Sequence, residues 1–100
     1  MVSNAADTAR FLVALMQDRL LGPTTLAGMR TGDFWTDPDT PSCGGSAYGH
    51  SGAGDGYKTN VWVSSDGSRV VVLLVNGRMA DQATGDLRAA QALDQLYCSA

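Results

Sequence analysis

Apolar residues first recur at helical spacing. Ala9, Leu12, Val13, Met16 and Leu20 form a stripe that Phe11 and Leu15 widen, and Asn4 with Asp7 three positions on resembles a capping box. This predicts a helix over 5–19, stopped by Gly22-Pro23. Pro23 suits the first turn of a second, shorter helix over 24–30, with Leu26 and Met29 facing inward. Residues 31–46 carry two of the three prolines and no period, so they read as a long loop, and long loops are often functional. From Ala47 the period changes to two. Strands are expected over 47–53, 57–64 and 69–75, with Ser65-Asp66-Gly67-Ser68 turning between the last two. In "YKTNVWVS" the alternation puts Tyr57, Thr59, Val61 and Val63 on one face and Lys58, Asn60, Trp62 and Ser64 on the other. A last helix over 85–97, with Leu87, Ala90, Leu93 and Tyr97 on one side, follows Asn76-Gly77. The expected fold class is α+β: helices, a three-stranded antiparallel meander, then a C-terminal helix packed on the sheet.

One hundred residues make one domain, and a chain of that size buries roughly two-thirds of its unfolded surface. Seven basic and ten acidic residues leave a net charge of −3, and no basic stripe is present. That balance argues against nucleic acid as a partner. The longest apolar run, "VVVLLV" at 70–75, is too short for a membrane span, and the first residues lack the pattern of a signal peptide. One histidine and two distant cysteines fall short of a four-ligand zinc site, so no metal or other cofactor is expected. Spacing alone leaves Cys43 and Cys98 equally open to a disulfide or to two buried thiols.

The candidate chemistry lies in "YGHSGAGDGYKTN", residues 48–60, which holds the sole histidine and the sole lysine. A phosphate loop is the first reading to test. "GAGDGYKT" has Tyr57 where the second glycine of such a loop belongs, and "NVWVSS" continues as strand. A phosphate loop must instead open a helix whose amides face the anion. An isolated His-Ser-Gly is otherwise read as a glycine-rich hairpin with a surface histidine.

The surroundings favour another reading. "YGHSGAGDGYKTNVWVSSDGSRVVVLLVN" resembles the third active-site motif of the penicillin-recognising serine hydrolases and the strands after it, and "MVSNAADTARFLVALMQDRLLGPTTLAGMRT" resembles their helical segment just upstream. That family includes class C-like β-lactamases, esterases and D-alanyl-D-alanine carboxypeptidases. Within it the chain resembles the secreted Streptomyces-type carboxypeptidases, which carry a histidine form of the motif preceded by Cys-Gly-x-x-x-Tyr-Gly, as in Cys43-Gly44 and Tyr48-Gly49. The resemblance implies a Cys43–Cys98 bridge and an extracellular or cell-envelope location. It also implies roles. His50 would place a polar, protonatable group beside a serine nucleophile, and Ser51 would hydrogen-bond the substrate's carboxylate or a neighbouring amide. Gly52 would let substrate backbone lie flush against the strand, and the Ala53 N–H would be an oxyanion donor.

The same family needs Ser-x-x-Lys for nucleophile and base, and a Tyr-x-Asn or similar second motif. Lys58 has Asp55 three positions before it, and no Tyr-x-Asn or Ser-x-Asn occurs. The expectation is therefore a C-terminal segment of a larger acyl-serine hydrolase, inactive by itself. Its partners would be the remaining N-terminal part of the hydrolase and a small-molecule or peptidoglycan-peptide substrate. The alternative is a stand-alone non-catalytic binding module or inactive remnant.

Overall fold

The computed structural model describes residues 2–31, 40–77 and 82–99. Three helices and three strands run in the order α1 (Ala5–Met16), α2 (Pro23–Thr31), β1 (Ala47–Gly54), β2 (Tyr57–Ser64), β3 (Val70–Val75) and α3 (Gln82–Ser99). This is the expected α+β arrangement. Half of the 31–46 loop, residues 32–39, lies outside the described residues.

α1 begins as its sequence signals. The Asn4 side chain accepts the Asp7 N–H at 2.9 Å, and its amide donates to the Asp7 carboxylate at 3.2 Å. The helix ends earlier than the apolar spacing predicts, at Met16 rather than residue 19. Asp18 takes a left-handed conformation, φ 60°, and the Arg19 N–H donates to the Ala14 carbonyl. That six-to-one closure satisfies carbonyls of the last turn and turns the chain out of the helix. Leu20 is consequently not part of the helical stripe and is exposed.

β1, β2 and β3 form an antiparallel meander in that order, so β1 and β3 are the two edges. Glycines in the left-handed region make both turns: Gly56 between β1 and β2, and Gly67 between β2 and β3. The alternation along β2 separates two environments. Val63, fully buried, joins Leu12, Leu15 and Met16 of α1 and Leu26 of α2 in the core, with Tyr48, Val61, Val70 and Val72 packed against it. On the opposite face Trp62 meets Tyr97 of α3 edge to face, ring centroids 5.6 Å apart, and Lys58 pairs with Asp86. The sheet is thus covered by α1 and α2 on one side and by α3 on the other.

Besides Leu20, three side chains assigned to inward faces are exposed: Phe11, Leu87 and Ala90. Phe11 flanks the α1 stripe, but the sheet takes up only Leu12, Leu15 and Met16. On α3, Leu93 and Tyr97 are buried as expected, whereas Leu87 is 60% exposed. The Lys58–Asp86 pair and the burial of Leu93 and Tyr97 orient α3 with residues 86, 93 and 97 inward, which rotates Leu87 away.

Cys43 and Cys98 are bridged, with Cα atoms 5.7 Å apart. The link is reinforced beside the sulfurs. Ser42 donates its backbone N–H and its hydroxyl to the Asp94 carboxylate, at 2.8 and 2.6 Å. Arg69 lies over the Tyr97 ring with its guanidinium 3.8 Å from the Cys43 sulfur. The segment leading into β1 is therefore bolted to the C-terminal end of α3.

Candidate active site

The four residues predicted to act on substrate stand on β1, which is rich in glycine and whose outer edge pairs with no other strand among the described residues. His50, Ser51, Gly52 and Ala53 are consecutive, and all four are exposed. Their directions follow from the ladder. The Ser64 N–H donates to the Arg69 carbonyl across the β2–β3 hairpin at 2.9 Å. Successive amides point to opposite sides of a strand, so the odd-numbered amides of β2 point toward β1. Through the pairs His50–Val61, Gly52–Thr59 and Gly54–Tyr57, the ladder takes up the amides of His50, Gly52 and Gly54. Those of Gly49, Ser51 and Ala53 point away from the sheet, along the open edge. An extended ligand laid on that edge would meet the Ser51 and Ala53 N–H groups about two residues apart, roughly 7 Å.

The side chains divide between the faces. His50 shares its face with Tyr48 and Val61, the side covered by α1 and α2, whereas Ser51 projects with Asn60 toward the α3 side. A Cβ at Gly52 would come within 3.0 Å of the Thr59 hydroxyl, which itself reaches back to the Gly52 carbonyl at 3.5 Å. Absence of a side chain there keeps the strip between His50 and the hairpin turn low and open. Gly49 is needed for a different reason: a Cβ would strike the Val61 carbonyl oxygen and the Trp62 ring, so only glycine lets Trp62 lie across β1.

Arg30 is a neighbour that sequence reading missed. From the last turn of α2 it donates to the Ser65 carbonyl and the Met16 sulfur, and its guanidinium lies 5.3 Å from the centre of the Tyr48 ring. It fixes Tyr48, two residues before His50 on the same face. The only sequence signal for it is a basic residue in the last turn of a helix.

A groove of about 520 Å³ opens on the other side of the sheet. Leu73 and Val75 line it from β3, Ala89 and Ala92 from α3, and it meets the predicted motif only at Ala53 and the adjoining Gly54. It is apolar apart from a few charged groups, among them the Lys58–Asp86 pair, and lacks the convergent polar groups of β1. Lys58, the sole lysine, is thus tied to α3 and cannot be assigned to the His50 side.

Two carboxylates have depressed pKa values, both through hydrogen bonds. The Ser68 hydroxyl and N–H, with help from the Ser64 hydroxyl, hold Asp66 down at about 2. The Ser42 hydroxyl and N–H lower Asp94. Neither carboxylate is on β1. They stabilise the β2–β3 turn and the tether beside the disulfide. The family model described as Beta-lactamase matches residues 1–95 of the chain.

Proposed function

Because the chain belongs to the Beta-lactamase family, we propose that it is the substrate-aligning segment of an acyl-serine hydrolase of the D-alanyl-D-alanine carboxypeptidase type. The observation that carries this reading is the open edge of β1, where Ser51, Gly52 and Ala53 present two outward amides and a hydroxyl within three residues. Acyl transfer by serine needs a nucleophile, a base, and donors aimed at the oxygen that becomes negative. In this assignment the Ala53 N–H supplies one such donor. Ser51 binds the carboxylate that ends a D-alanyl peptide or its neighbouring amide, and Gly52 leaves room for substrate backbone. His50 stands beside the position of the attacking serine. That serine and its lysine belong to a further part of the hydrolase, since no Ser-x-x-Lys occurs among these 100 residues. The disulfide fits an extracellular or envelope setting.

The chain should therefore recognise but not react. Mass spectrometry after incubation with a penicillin should show no covalent adduct. Titration with N-acetyl-D-alanine, followed by amide NMR, should move the Ser51, Gly52 and Ala53 signals before any others. A stable acyl adduct would mean that the site is complete, and unmoved β1 amides would remove the carboxylate-binding role.

A further inference from the structure

The face of β1 that carries His50 has a second aromatic group at its far end. Tyr57, the first residue of β2, pairs with Gly54, and the alternation along β2 puts it on the face of Val61 and hence of His50. Its ring does not stand upright on the sheet. A Cβ at Gly54 would strike the Cζ, the hydroxyl and the Cε1 of Tyr57. The ring therefore leans from β2 across β1, and its phenol end rests on the Gly54 backbone beside the open edge. α1 and α2 cover this face at Tyr48 and Val63, but Tyr57 stays 54% exposed. A ring laid on backbone has one side taken and the other open to a ligand, and its two side-chain torsions cost little entropy to fix.

The strip between the two rings is low. His50 and Gly54 are four residues apart, roughly 13 Å along the strand. Between them Gly52 has no side chain, and the Thr59 hydroxyl lies behind it. Direction then decides what reaches Tyr57. With a carboxylate at Ser51 and the scissile carbonyl at the Ala53 N–H, the ligand continues toward Gly54 with the group on the amino side of that carbonyl. We propose that Tyr57 is a specificity-determining residue that binds an aliphatic or aromatic acyl group at this end of the strip. Given the carboxypeptidase-type reading on which this rests, the preferred substrate is an N-acyl-D-alanyl-D-alanine whose acyl group carries an apolar chain or ring instead of a single methyl. Such a group buries the open side of the Tyr57 ring, whereas a methyl ends short of it. Apolar walls with a few placed polar donors are the usual make-up of a small-molecule site.

Amide NMR titration of the 100-residue chain with N-acetyl-D-alanyl-D-alanine and N-phenylacetyl-D-alanyl-D-alanine tests the assignment. The phenylacetyl ligand should bind about tenfold more tightly and show nuclear Overhauser contacts between its phenyl protons and the Tyr57 ring. Tyr57→Phe should keep the preference, and Tyr57→Ala should bind the two ligands alike. If Tyr57→Ala does not fold, the Overhauser contacts of the unmodified chain decide alone. Equal affinity of the unmodified chain for the two ligands, with the β1 amides moving in both titrations, overturns this assignment and leaves the carboxylate-binding role standing. A preference that persists in Tyr57→Ala, or phenyl contacts to some other surface, also overturns it. β1 amides that move with neither ligand, nor with N-acetyl-D-alanine, remove the underlying reading and this assignment with it.

Discussion

Replacing both Cys43 and Cys98 by alanine should cost about 4 kcal/mol. The residues are 55 apart in sequence. In the chain-entropy model a closed loop of that length removes about 14 cal/mol/K from the unfolded ensemble, or about 4 kcal/mol at 25 °C. A domain of this size has a total stability of roughly 5–15 kcal/mol, so the bridge supplies a large share of it. The assay is urea denaturation of the oxidised chain and the double variant. With a slope near 2 kcal/mol/M, the midpoint should fall by about 2 M. The same mechanism predicts a larger slope for the variant, because its unfolded chain is less compact and exposes more surface. The Ser42–Asp94 bonds survive the change, so the native position of the β1 lead-in should persist. A loss below about 1 kcal/mol would refute the reasoning, since the tether would then be held by local contacts and not by the covalent loop.

Gly49→Ala should destabilise by about 1–3 kcal/mol, read by thermal denaturation, because its Cβ meets the Val61 carbonyl and the Trp62 ring. Val63→Ala empties two methyl groups from the centre of the core and should cost about 2–3 kcal/mol in the same assay. Acid should weaken the fold in a defined window. Asp66 and Asp94 have folded-state values below the ordinary 3.8, so their stabilisation is present above that value and is lost as pH falls through the folded values, about 2 for Asp66. Asp66→Asn and Asp94→Asn together should flatten stability against pH between about 5 and 2, measured by urea midpoints.

Much of this fold is legible in the sequence because its signals are local. The strand limits follow from period-two alternation and from glycines that must take positive φ, and the start of α1 follows from Asn4 and Asp7 three residues apart. The His-Ser-Gly motif is legible for the same reason: it is contiguous, on a strand whose neighbours spell its register. Where the structure departs from the sequence reading, either a backbone closure that periodicity does not register or contacts between elements decided the outcome. Periodicity extends α1 to residue 19, but a left-handed Asp18 and the Arg19–Ala14 bond end it at Met16. It puts Leu87 inward, but the contacts of Asp86 and Tyr97 set the rotation of α3 and leave Leu87 in solvent. Spacing leaves the cysteines undecided, and only the packing of α3 against the β1 lead-in brings them to 5.7 Å. The strand pairing likewise determines which amides of β1 are spent in the ladder and which point outward. A residue's own side chain governs its local period, but its partners across the sheet govern what it has left to offer.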